Sequence, residues 1–216
     1  WIRTVRDGTE NAYICVRAYD QNNRPYIYRD ETAYCSGSIF GIYNQHIVID
    51  GMIMDGRFRP RCDSGDWYQR PENDAIPGIG RERYHHVIVD FAHYDTHAQG
   101  YGWNGDHSVL RNSVVANNTF DGVAIMADNI LIENVEVYNT LRDAFADQED
   151  AHNIVASHAR HVTVRHADLH HFTGDAFQVD PDIDNDAHGQ LWNDVLIEHT
   201  KMWVDYLEED VAGFTA

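Results

Sequence analysis

Residues 108–138 read SVLRNSVVANNTFDGVAIMADNILIENVEVY. The phrase SVLR (108–111) is answered by ILIE (130–133) at the same place in the next repeat. Each alternates with period 2 and runs into a second short alternating phrase, whereas a helical repeat would show a period near 3.6. Alternation sends successive side chains to opposite faces, so this unit reads as one turn of a β-solenoid.

Outward from this stretch the phrase recurs as IVID (47–50), VIVD (87–90), VTVR (162–165) and VLIE (195–198). The six starts, at positions 47, 87, 108, 130, 162 and 195, fit one short repeating unit lengthened by insertions in some coils. Successive coils at equal offset should stack about 4.8 Å apart. Offsets 0 and 2 are almost all aliphatic and are expected to face inward. Offset 3 holds Asp50, Asp90, Arg111, Glu133, Arg165 and Glu198, whose last four members alternate in sign, and is expected to be an outward charge ladder. Offset 4 holds Gly51, Phe91, Asn112, Asn134, His166 and His199, where stacked asparagines at a sharp corner suggest an amide ladder. A second strand follows at once, and a third is expected at 101–105, 122–126, 144–148 and 176–180. Three strands per coil describe an all-β, triangular parallel β-helix of about six coils.

One domain is expected over 1–216, with N-terminal strands and a lead-in coil at 1–45 and regular coils at 46–216, interrupted at 56–84, 148–160 and 180–193. The chain opens on Trp1 and stops at Ala216 without a polar closing element, which reads as a segment of a longer solenoid.

HIVIDGMIMDG (46–56), VLRNSVVANNTFDGVAIM (109–126), ILIENVEVYNTLRDAFADQ (130–148) and VTVRHADLHHFTGDAFQVD (162–180) resemble coils of the right-handed parallel β-helix, or pectate-lyase-like, superfamily. ENAYICVRAYDQNNRPYI (10–27) resembles the first strands of its secreted carbohydrate-active members. The resemblance covers residues 11–204. It implies a polysaccharide partner lying along the third sheet, lyase-like or glycoside-hydrolase-like activity, and an extracellular or cell-surface location. The fold also hosts non-catalytic fibres and adhesins, so a structural or glycan-binding solenoid, associating end to end or continuing into further coils, is the alternative.

On the expected third sheet, Tyr101 and Trp103 offer rings for sugar stacking, while Gly122, Ala124, Ala144, Ala146, Ala176 and Gln178 would floor a shallow groove. Asp121, Asp143 and Asp175 share offset 13, counted from the coil starts at 108, 130 and 162, and so open that strand. Such a column suits turn capping, Ca2+ binding or acid/base catalysis. The catalytic candidates are Asp143 and Asp175, as a carboxylate pair, with His171 or Arg142 moving the proton in a lyase. Gln178 and Trp67 join Tyr101 and Trp103 as substrate-binding candidates. Arg57 and its neighbouring arginines around Trp67 could grip an anionic sugar or pair with local acids. Asp180, Asp182 and Asp184 alternate along one insertion and, with Asp175, form a candidate Ca2+ set, although the spacing is not that of an EF-hand. A solvated acidic loop is the alternative.

Composition supports one folded domain, with 43% hydrophobic residues. The formal charge of −19 and a single lysine, Lys201, argue against nucleic acid as a partner. No apolar run approaches the roughly 20 residues of a membrane span. Cys15, Cys35 and Cys62 allow a Cys15–Cys35 or Cys35–Cys62 bridge or buried free thiols, and lack metal-site spacing.

Overall fold

The computed structural model describes residues 2–28, 38–57, 87–91, 93–94, 103–118, 121–140, 151–157, 159–180 and 194–205. These contain strands and turns only. Three six-stranded parallel sheets wind as a right-handed β-helix of about six coils. The first sheet stacks Ile14–Arg17, Ile47–Asp50, Val109–Arg111, Leu131–Glu133, Thr163–Arg165 and Leu196–Glu198. The second stacks Tyr26–Tyr28, Ile53–Asp55, Val114–Asn118, Glu136–Thr140, Asp168–Phe172 and Lys201–Trp203. The third stacks Ile2–Arg3, Phe40–Ile42, Val89–Phe91, Val123–Ile125, Ile154–Ser157 and Phe177–Asp180. No helix among the described residues is long and apolar enough to cross a membrane.

Alternation fills the interior as expected. Ile49, Leu110, Ile132 and Val164 from the first sheet meet Met54, Val115, Val137 and Leu169 from the second, and all are fully buried. Phe40, Phe91, Val123, Ile125, Ile154 and Ala156 close the third side. At the last coil the inward positions Val179, Ile197 and Met202 remain 39%, 38% and 43% exposed.

Three expectations change. VIVD does not open a coil: Val89–Phe91 pairs with Phe40–Ile42 and Val123–Ile125, so Asp90 leaves the charge ladder for the third sheet. Its place in the first sheet passes to ICVR at 14–17, which pairs with Ile47–Asp50. The third strand after Glu136–Thr140 is Ile154–Ser157, inside the stretch expected to be an insertion. In place of a third strand at 101–105, Trp103–Asn104 forms an antiparallel ribbon with His93–Tyr94. A four-residue apolar alternation fits any of the three sheets equally well, so it cannot assign a strand to one of them.

With the register corrected, the ladder reads Arg17, Asp50, Arg111, Glu133, Arg165, Glu198, alternating in sign throughout. Arg111 Nη2 lies 2.9 Å from Asp50 Oδ2, and Arg165 Nη2 lies 2.7 Å from Glu133 Oε1.

The corners need left-handed backbone, and the sequence supplies it with residues that tolerate that region. Gly51 (φ 79°), Asn112 (52°), Asn134 (52°), His166 (53°) and His199 (49°) turn the chain from first to second sheet. His46, His107, Asn129, His161 and Asp194 do so ahead of the first sheet. Six of the 14 histidines hold such corners, which accounts for much of their abundance without chemistry. Asn134 Nδ2 donates to Asn112 Oδ1 at 2.8 Å, and Asn112 Nδ2 to Asp50 Oδ1 at 2.8 Å, so the expected amide ladder ends on the charge ladder.

Candidate functional site

Alternation along the third sheet turns Gly41, Asp90, Ala124, Val155 and Gln178 outward as one column. Asp90 is the exceptional member. Its carboxyl is buried, and Oδ1 has no hydrogen-bond partner. The Tyr43 hydroxyl lies 3.4 Å from Oδ2. Tyr43 is held by its backbone N–H, which donates to Thr4 Oγ1 at 2.9 Å. Its ring rests over Gly41, where an added Cβ would stand 2.6 Å from Tyr43 Cζ. Burial pushes the Asp90 carboxyl up to about 7, with the Tyr43 hydrogen bond pulling the other way. The third sheet therefore carries an acid whose burial favours its protonated form well above the usual carboxylate range.

At the start of the same strands the register aligns Asp121, His152 and Asp175. An acid–histidine–acid column thus replaces the expected run of three carboxylates, with His152 in the central position. Asp121 Oδ1 accepts the His152 backbone N–H at 2.9 Å, while His152 Nδ1 accepts the Asp175 backbone N–H at 2.8 Å. The second bond occupies the Nδ1 lone pair, so the 3.7 Å approach of Asp175 Oδ2 to Nδ1 is not an ion pair. His152 is nearly enclosed, at 9% side-chain exposure, and Asp175 is open, at 63%.

The other sequence candidates separate. Gln178 is half-buried on the outward column. His171 lies on the second sheet at a left-handed corner (φ 51°), edge-on to Trp203 with ring centroids 5.0 Å apart. Asp180 closes the strand Phe177–Asp180, which follows Asp175 in the chain. Trp103 lies in the ribbon that follows Val89–Phe91. Asp143, Arg142, Tyr101, Trp67, Asp182 and Asp184 fall outside the described residues, as do Cys35 and Cys62. Cys15 is an exposed free thiol, not a bridged or buried one. Arg57 sits 3.3 Å over the Tyr28 ring. Among the described residues no three acids, histidines or cysteines are grouped to hold a metal.

Two polar groups on the second sheet are satisfied and so read as structural. Asp55 accepts the Tyr26 hydroxyl, the Arg57 backbone N–H at 2.7 Å and Asn117 Nδ2 at 3.2 Å. His170 stacks between Tyr138 and Trp203, with centroids 5.0 and 4.5 Å away, and its Nε2 lies 3.2 Å from Glu136 Oε1.

The places of Asp90 and His152 on the third sheet escape a reading of the sequence because both depend on strand assignment. One signal was present: placed between Asp50 and Arg111, Asp90 sets two acids side by side in a column that otherwise alternates.

No protein-family profile and no curated protein matches the chain. Among solved structures it is similar to a putative glycosyl hydrolase from Parabacteroides merdae, at 11% identity and a TM-score of 0.53, covering 93% of this chain and 75% of that one. An alginate lyase from Paenibacillus sp. aligns at 11% identity and a TM-score of 0.49, covering 93% of this chain and 64% of that one. At such identity the first likeness shows the β-helix fold alone.

Proposed function

We propose that this protein acts on a polysaccharide laid along the third sheet, in a lyase-like or glycoside-hydrolase-like reaction outside the cell. The observation that carries the reading is the buried Asp90 carboxyl on that sheet, with one oxygen left without a partner and burial pushing its pKa up to about 7. Hydrolysis and β-elimination both expel a sugar oxygen that needs a proton, and an acid with this pKa supplies it at neutral pH. Ala124 and Val155 are small or smooth floor residues, and Gln178 offers an amide toward sugar hydroxyls. Gly41, Asp90, Ala124 and Val155 are all buried in this structure and only Gln178 is half-buried, so binding along the column requires this face to be uncovered.

Asp175 stands three coils and three residues from Asp90, roughly 17 Å at sheet spacing. Two carboxylates that share one glycosidic bond stand at most about 9.5 Å apart. The base that completes the reaction therefore lies nearer to Asp90 than Asp175 does. A calcium ion, where a uronate needs neutralising, would be held by Asp175, Asp180, Asp182 and Asp184.

The test is turnover of a panel of neutral and uronate polysaccharides by the native protein and by Asp90→Asn. Loss of at least about a hundredfold in Asp90→Asn supports the role; undiminished turnover in that variant removes it.

A second reading, a non-catalytic solenoid that stacks end to end, is favoured by the exposed inward residues Val179, Ile197 and Met202. It requires concentration-dependent association in sedimentation, abolished by Ile197→Glu, and no turnover on any polysaccharide.

A further inference from the structure

At the corner between the first and second sheets, on a different face from Asp90, an open groove of about 680 Å³ is lined by Arg17, Tyr19, Gln21, Arg24, Asp50 and the Asn112–Asn134 ladder. Its charge is set by what is already paired. Both Asp50 oxygens are occupied: Oδ2 accepts Arg111 Nε at 3.1 Å and Nη2 at 2.9 Å, and Oδ1 accepts Asn112 Nδ2 at 2.8 Å. Arg17 opens the sign-alternating column, so its register neighbour Asp50 is spent on Arg111 and Arg17 pairs with no acid among the described residues. Arg24 is anchored by Nη1, which donates to the Asn112 carbonyl at 3.1 Å, and keeps its remaining donors. Tyr19 is fully exposed beside them. In a protein of net charge −19, this groove brings two arginines without carboxylate partners beside an open aromatic ring.

We infer that this corner groove is a binding site for a carboxylate-bearing sugar, with Arg17 and Arg24 on the carboxylate and Tyr19 stacked on the ring. Guanidinium forks match a planar carboxylate, and an aromatic face matches the apolar side of a pyranose. Asn134 Oδ1, which is not used in the ladder, accepts from a sugar hydroxyl. The groove lies away from the third sheet and would tether a uronate chain whether or not that sheet is catalytic.

Calorimetric titration of the full chain with galacturonate and mannuronate trisaccharides, their methyl esters and inorganic phosphate tests this. Saturable binding by a uronate trisaccharide, weakened about tenfold by Arg17→Gln or Arg24→Gln and by esterification of the ligand, is the expected result. Tyr19→Ala should weaken it while leaving the melting temperature unchanged, since Tyr19 is exposed. No saturable uronate binding, equal binding of phosphate, or affinity indifferent to Arg17→Gln and Arg24→Gln overturns the inference. Asp90→Asn separates the two sites: the corner groove keeps its uronate affinity in that variant even where turnover is lost. Binding that is lost in Asp90→Asn and kept in Arg17→Gln places the sugar on the third sheet and overturns the corner site.

Discussion

The Tyr43 hydroxyl stands 3.4 Å from Oδ2 of Asp90, reached across the space that Gly41 leaves open on the third sheet. This contact partly offsets the burial that raises Asp90 to about 7 from an ordinary 3.8. The stability consequence has a definite sign. Between these two values the folded state keeps a proton that the unfolded state releases, so stability falls as pH rises from about 4 to about 7 and is level above. The loss is on the order of 4 kcal/mol. Asp90→Asn should remove it, giving a variant that gains thermal stability over the native protein at pH 8 and little at pH 4. Parallel melting curves across that range would show that Asp90 does not titrate there.

Gly41→Ala should displace the Tyr43 ring, because the new Cβ would lie 2.6 Å from Cζ and 2.9 Å from the hydroxyl oxygen. Overpacking of this kind costs about 1 to 3 kcal/mol. Urea denaturation measures the cost, and a carboxyl-carbon titration should show the Asp90 pKa moving as its one hydrogen-bond donor leaves.

The charge ladder should be uneven along its length. Arg165→Ala breaks a pair that is part-exposed on both sides and should cost less than about 1 kcal/mol. Arg111→Ala leaves the buried Asp50 carboxylate with only Asn112 and should cost about 1 to 3 kcal/mol. Equal effects in chemical denaturation would mean that burial does not grade the ladder.

The left-handed corners predict a preference set by the backbone. Asn134→Gly and Asn134→Val both remove the bond to Asn112, but only valine must adopt φ 52° against its Cβ. Valine should be the less stable by about 1 to 2 kcal/mol in equilibrium unfolding.

His152 should show Nδ1 without a proton in a long-range proton–nitrogen correlation, because Nδ1 accepts the Asp175 N–H. A protonated Nδ1 would mean that this bond is not formed.

Periodicity made the solenoid legible, and with it the buried aliphatic columns, the amide ladder and the order of the ladder charges from Arg111 to Glu198. It did not say which sheet a given phrase joins. IVID and VIVD share an alternation, yet one lies on the first sheet and the other on the third, because the long stretch after Asp55 comes between the second and third strands of a coil. That one assignment hid Asp90. The same ambiguity put the third strand of a later coil at 144–148 instead of 154–157 and so hid His152. Histidine is frequent in this chain, with 14 residues, and backbone conformation explains six of them.

The central claim, a saccharide site on the third sheet built around Asp90, is tested most directly by a crystal of the protein soaked with oligosaccharide. Sugar density running over Gln178, Val155 and Ala124, with an oxygen within hydrogen-bonding distance of Asp90 Oδ1, is the predicted result. Saccharide confined to the corner groove at Arg17, with the third sheet bare and Asp90 still enclosed, would contradict it.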